Sequence, residues 1–304
     1  MSTIGITGGT GFIGKRLTAR LISAGHRVLI FSRQATPPVS NNITYIHWDP
    51  YKSEVDTRLL PTLDAVVHLA GEGVADKRWS PARKRAIADS RIIGTRFLTA
   101  TLAAHAPQCR TLVAASAIGF YGADAPGGKP FTENSPPAQD FLGSVCQQWE
   151  KESLSIADKV RTVVTRFGIV FGTEAGAFPQ LLQPLSMGVV PIIGTGRQIM
   201  SWIHVEDVCN ILEYALEHPQ VQGIYNTVAP HPVTNAQLMH HIALKKKGIR
   251  IPIKVPAFLM KLILGEMSIE VLKSCTVSAQ KIEQAGFSFS YPTLSDALGE
   301  LMSH

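Results

Sequence analysis

Three groups of residues in this chain have types and spacings that could do chemistry. The first is Gly8-Gly9-Thr10-Gly11-Phe12-Ile13-Gly14, with Gly8, Gly11 and Gly14 three apart. Glycine at the first two places lets the backbone turn sharply and approach a diphosphate, and the third lets a helix pack closely on a sheet. A helix starting there would offer unpaired N–H groups and its positive dipole end to the phosphates. A glycine triplet alone is weak, since a structural turn uses the same residues. Here Ile4-Gly5-Ile6-Thr7 before it and Leu17 and Leu21 after it give strand, turn and helix, the context of a dinucleotide site. The second group is Ser32-Arg33, closing a predicted strand from His26 to Phe31. An acidic residue in that slot would bind the ribose 2′-hydroxyl of NAD. A hydroxyl and a fixed cation suit a 2′-phosphate instead and point to NADP(H), against the plainer reading of a surface arginine. The third group is Ser116 with Cys146. Ser116 falls at the C-terminal edge of a predicted strand, Arg110–Ala115, where open α/β sheets bind ligands. Cys146 would be a nucleophile or proton donor only if its pKa were lowered, and otherwise fills space as a small apolar residue.

The intervening chain supplies the elements that must position these groups. A third strand runs from Asn42 to Trp48 with Asp49 at its end, near where adenine would lie. Asp64 to Gly71 reads as a buried parallel strand, and Leu69-Ala70-Gly71 leaves room for a cofactor to cross the sheet edge, with Glu72 beside it. Ser80-Pro81 starts the next helix as cap and first-turn proline. On that helix Ile87, Arg91, Gly94 and Leu98 share one face, so Arg91 needs a cofactor phosphate, a carboxylate, or a route to the surface. A helix is predicted over 140–158, carrying Cys146, Trp149 and Glu150, and a strand from Val160 to Phe167 leads on past Val170. Arg166 and Val170 join the predicted cofactor path. Tyr121 is the nearest phenol to Ser116, and His204, before a helix over 206–217, reads as a structural hydrogen-bonder. From about Val233 amphipathic helices follow.

With 304 residues, 45% of them hydrophobic, the chain can bury a full core. The organisation expected is an α/β Rossmann-type doubly wound parallel sheet over 1–167, with later elements near 200–228 returning to it. A substrate-side region over 168–250 and a smaller α-rich region over 251–304 complete the expectation. The four cysteines are scattered without a C-x-x-C pair, which argues against disulfides and metal and for a reducing compartment. No apolar run approaches a membrane span, and the start of the chain leaves no room for a signal peptide, so a cytoplasmic protein is expected. The basic run Lys245-Lys246-Lys247 with Arg250 reads as a solvated helix end rather than a nucleic-acid patch. A homodimer is compatible with the sequence and not required by it.

Taken together, Thr7 to Gly14, His68-Leu69-Ala70-Gly71, Gly94-Thr95, Ser116 with Tyr121-Gly122, and His204-Val-Glu-Asp207 resemble the extended short-chain dehydrogenase/reductases, relatives of nucleotide-sugar epimerases. Ala75 to Trp79, Trp149-Glu150, Gly194-x-Gly196-Arg197-Gln198 and Pro232 to Asn235 are similar to one atypical, epimerase-like branch with its own C-terminal domain. The resemblance implies a Tyr-x-x-x-Lys proton-transfer pair on the helix that begins near Phe141, but Leu142 and Cys146 stand in those slots. It also places Arg91 where an asparagine is usual, on the cofactor side. Three functions follow as expectations: an NADPH-dependent oxidoreductase of small molecules, a non-catalytic NADP(H)-binding regulatory protein, and a nucleotide-sugar epimerase. The last is disfavoured because reversible oxidation of a hydroxyl needs a strong base.

Overall fold

The structure, a computed structural model, describes residues 1–34, 43–246 and 251–303. Asn42, Lys247 and Arg250, which belong to a predicted strand and to the basic run, lie outside them. β1 (Thr3–Thr7) passes through the glycine turn into α1 (Phe12–Ser23), which closes at Gly25 with φ +82° before β2 (Arg27–Ser32). There follow β3 (Ile43–Asp49), the short β4 (Glu54–Val55), β5 (Ala65–His68), α2 (Pro81–His105), β6 (Thr111–Ala117), α3 (Phe141–Leu154) and β7 (Arg161–Phe167). The second half holds β8 (Ile169–Phe171), α4 (Ala177–Ser186), β9 (Val189–Ile193), β10 (Ile199–Met200), β11 (Trp202–His204), α5 (Val205–Glu217), β12 (Gly223–Thr227) and β13 (Val233–Thr234). It ends with α6 (Asn235–Lys245), β14 (Ile251–Val255), α7 (Ala257–Leu264), α8 (Ser268–Leu272), α9 (Gln280–Gln284) and α10 (Leu294–Leu301).

Among the described residues one eight-stranded sheet runs β12-β7-β6-β5-β1-β2-β3-β4, parallel apart from the β3–β4 pair. This is the doubly wound order, with the reversal between β1 and β5, where a crevice opens beyond the strands' carboxyl ends. Such strands are covered on both faces, and Val66, Val67, Leu112 and Val113 are accordingly buried. Thr7 pairs with Phe31 on one side and with His68 on the other, so three strand ends meet at the glycine turn. A buried staple fixes that meeting point. Thr7 Oγ1 lies 2.6 Å from His68 Nδ1 and accepts from the Ala70 N–H at 3.2 Å, while His68 Nε2 lies 2.8 Å from Thr95 Oγ1 on α2. Burial pushes the His68 pKa down to about 4, which keeps the ring neutral and able to serve both hydroxyls.

The second half is woven into the first. β12 forms the edge of the main sheet beside β7. On the outer face, Arg20 of α1 reaches Glu206, Asn210 and Glu213 of α5. The segment after 251 opens with a strand, β14, paired with β9, before any helix. It then threads back through the molecule. The Ser201 hydroxyl donates to the Cys275 carbonyl at 2.9 Å and accepts from the Val277 N–H at 2.9 Å, and Asp124 accepts from the Thr276 N–H at 2.7 Å. Asp207 at the start of α5 accepts from the N–H groups of Ser290 and Tyr291. Helix α3 ends at Leu154, short of the predicted Asp158.

The tightest constraint is at Gly14. Any Cβ there would overlap the Gly8 carbonyl oxygen and lie 2.7 Å from the Gly9 Cα. Gly14→Ala is therefore expected to destabilise the fold by about 2 kcal/mol, as overpacking against backbone does. A urea denaturation midpoint unchanged from the parent would contradict this packing.

Candidate functional site

The glycine turn, the end of β2 and the end of β5 enclose a cleft of about 360 Å³. Its floor is backbone. Gly8 holds φ +70°, and a Cβ on it would meet the Leu69 carbonyl carbon at 2.8 Å, so no side chain fits between the two strand ends. Helix α1 begins at Phe12 with Gly11 as its cap, and among the described residues no side chain caps it. The Phe12 and Ile13 N–H groups stand at the start of that helix, where the dipole favours an anion. Gly9 packs under the turn against Ile30. The rim carries Ser32, Arg33, Gln34 and Tyr51 on one side and Leu69, Ala70, Gly71 and Glu72 on the other. Arg33 is exposed at this rim. Tyr51 hydrogen-bonds Asp49 through its backbone, which turns the chain after β3 toward the cleft.

Deeper along the sheet edge lies a buried polar network. Glu150 on α3 accepts from the Ser116 hydroxyl at 2.7 Å and from Arg166 Nε and Nη2, each at 2.7 Å. Arg166 Nη1 donates to the Tyr121 hydroxyl at 2.7 Å, and that hydroxyl donates to Asn226 Oδ1 at 2.5 Å. The Asn226 N–H in turn donates to Glu133 at 2.8 Å. The guanidinium lies 3.5 Å from the Phe120 ring centroid. Both members of the ion pair are nearly inaccessible, with side chains 2% and 5% exposed. Burial works against the Arg166 charge, but the Glu150 carboxylate outweighs it and holds the guanidinium above its ordinary pKa. Tyr121 is pushed up to about 12, mainly by burial.

The sequence expectations divide cleanly on this geometry. Gly8, Thr10, Gly11, Ser32, Arg33, Leu69, Ala70, Gly71 and Glu72 are brought to one cleft, with Gly9, Phe12, Ile13 and Gly14 forming the turn and helix start beneath it. Val170 sits on β8, its carbonyl oxygen near Gly176 beyond the helix start. Arg166 is a correction. Its nitrogens are committed to Glu150, Tyr121 and Glu133, so it braces the sheet edge rather than facing the cofactor path. Ser116 lies within β6, buried, with its hydrogen given to Glu150. For Cys146, burial and then the Glu150 charge raise the thiol to about 12, as for a buried space-filling cysteine rather than an activated one. His204 behaves as expected, linking Glu300 to the Glu206 N–H. Arg91 stays inside, donating to the Glu72 and Ile87 carbonyls and lying over the Trp149 ring. Tyr51, Trp48, Pro50 and Ser90 also line the cleft and escaped the sequence reading, although the turn after Asp49 was a signal for the first.

Removing one partner of so enclosed a pair leaves the other charge buried and alone. Glu150→Gln is expected to cost about 3 kcal/mol or more in urea unfolding, and Arg166→Met added to it to recover part of that loss. A Glu150→Gln loss below about 1 kcal/mol would contradict the pairing.

Similarity to known proteins agrees with this architecture. Residues 4–227 match the NAD dependent epimerase/dehydratase family, and residues 255–301 match a domain of unknown function, DUF1731. The chain is 38% identical over 303 residues to Epimerase family protein YfhF of Bacillus subtilis, covering 99% of this chain and 98% of that one. It is similar to the crystal structure of human epimerase family protein SDR39U1 (isoform 2) with NADPH, at 29% identity and a TM-score of 0.89, covering 99% of both chains. The nucleoside-diphosphate sugar epimerase structure from Corynebacterium glutamicum matches at 30% identity and a TM-score of 0.79, over 99% of this chain and 58% of that one. With its nucleotide cleft at the strand reversal and its second half stitched into the sheet, the chain belongs to the NAD dependent epimerase/dehydratase family and carries a C-terminal DUF1731 domain.

Proposed function

We propose that this protein binds NADP(H) and uses it as an oxidoreductase on a small molecule, positioning the reactants without a side-chain proton donor at the sheet edge. The observation that carries the cofactor assignment is the rim of the cleft, where Ser32 and Arg33 stand at the end of β2 with no carboxylate in that slot. A hydroxyl and an exposed guanidinium there recognise a 2′-phosphate. The cradle fits the rest of the molecule. Phe12 and Ile13 N–H groups face the diphosphate position, the missing Cβ atoms of Gly8 and Gly11 allow close approach, and Trp48 and Tyr51 flank the adenine side. The human relative crystallised with NADPH supports the same choice.

When bound, the cofactor supplies or accepts a hydride. The protein's contribution is binding, orientation and exclusion of water. Leu142 and Cys146 occupy the slots of the family's proton-transfer pair, and Cys146 and Tyr121, both raised to about 12, stay protonated through neutral pH. With the Tyr121 and Ser116 hydrogens already given to Asn226 and Glu150, a proton for the product must come from water. The same observation disfavours epimerisation, which needs a base to start it. It also favours a second reading, in which the protein binds NADP(H) without turnover. Incubation with NADPH and a panel of aldehydes, ketones and enones separates the two, since only the first reading gives substrate-dependent loss of dihydronicotinamide absorbance.

The cofactor assignment makes a prediction of its own. Arg33→Ala is expected to weaken NADPH binding by about tenfold or more, the worth of a charge-assisted hydrogen bond, and to leave NADH binding nearly unchanged. Calorimetric titration measures both. Equal losses for the two nucleotides would overturn the 2′-phosphate assignment.

A further inference from the structure

Arg91, on the buried face of α2, is a cation of the site region that the Glu150–Arg166 network does not reach. The side chain leaves the buried face of α2 beside Ile87 and ends between two surfaces. On one side is Gly71, whose added Cβ would lie 3.3 Å from the guanidinium carbon, and on the other the Trp149 ring, 5.0 Å away. Nη1 donates to the carbonyls of Glu72 and Ile87, at 3.0 and 3.1 Å. Among the described residues no carboxylate pairs with this guanidinium, and its Nε and Nη2 groups have no protein acceptor. The carboxylate that acts on it, Glu72, is held by Arg83 at 2.9 Å. Burial accordingly works against the Arg91 charge, yet arginine cannot shed its proton in a protein. A half-buried charge with no carboxylate in salt-bridge reach is costly, and a ligand is one partner that would answer it.

Topology says which part of the ligand it meets. The diphosphate position is the start of α1, between β1 and the crevice. The adenosine half runs from there toward Ser32, Arg33 and Tyr51, on the β2–β3 side. The other half must run the opposite way, over the ends of β5 and β6, and Arg91 reaches that side, lying over Trp149 of α3 with its charge acting on Cys146. We propose that Arg91 is a redox-state selector: its fixed positive charge under the nicotinamide half disfavours the cationic oxidised ring and favours the neutral reduced one, so the site takes up NADPH in preference to NADP⁺. The inference rests on the NADP(H) reading above and adds to it the oxidation state of the ligand. A charge of this kind in a medium less polar than water is worth about tenfold in relative affinity. Tenfold tighter binding of the reduced form also raises the two-electron potential of the bound couple by about 30 mV.

The test is calorimetric titration of the full chain, stripped of nucleotide, with NADPH and with NADP⁺. The parent protein is expected to bind NADPH about tenfold more tightly than NADP⁺, a preference that Arg91→Lys keeps and Arg91→Gln brings close to one. Thermal unfolding of each variant confirms that it is folded. Equal affinities in the parent overturn the proposal without reference to any variant, and so does an Arg91→Gln protein that loses affinity for both forms by the same factor, which would make Arg91 a phosphate ligand. Failure of both nucleotides to bind the parent would instead bring down the NADP(H) reading itself.

Discussion

The buried Glu150–Arg166 ion pair is the constraint on which the sheet edge depends. Two charges removed from water must have every hydrogen-bonding group answered. That demand recruits Ser116 from β6, Tyr121 from the loop after it, and Asn226 from β12, and it draws α3 against β7. The hydroxyls that the fold would otherwise present to a substrate thereby become part of the scaffold. Leu142 and Cys146 stand in the family's usual proton-transfer slots on the helix that carries Glu150.

The cofactor half of the crevice obeys a different rule, which is absence of side chains. Gly8, Gly11 and Gly14 clear the floor, Gly71 clears the path over β5, and the uncapped start of α1 supplies donors. Behind this floor the Thr7–His68–Thr95 staple holds β1, β5 and α2 in register, with a neutral imidazole between two hydroxyls. Charge enters at the edges: Arg33 exposed at the rim, Glu72 beside Gly71, and Arg91 half-buried behind Gly71.

Local features of this arrangement were legible in the sequence, and distant ones were not. The glycine turn with its flanking strand and helix, the Ser32-Arg33 slot, and the Ser80-Pro81 helix start each depend on a few neighbouring residues whose backbone preferences are intrinsic. Arg91 stood out because a charge on an apolar helix face demands a reason, although spacing could not say which reason. By contrast, the partners Ser116 and Glu150 are 34 residues apart, and Tyr121 and Asn226 are 105 apart, so no periodicity connects them. Arg166 at the end of a strand looked the same from sequence whether it faced a cofactor or a buried carboxylate. The long-range contacts of the C-terminal segment were hidden for a similar reason. Its helices are amphipathic, but the extended stretch Cys275–Val277 is held by Ser201, more than 70 residues away.

The most direct measurement is a crystal structure of the protein grown with NADPH. The account predicts the diphosphate on the Phe12 and Ile13 N–H groups, the 2′-phosphate on Ser32 and Arg33, and the Glu150–Arg166 pair unbroken beneath the nicotinamide half. A nucleotide bound elsewhere, or a Glu150 carboxylate released from Arg166 and turned into the crevice, would contradict it.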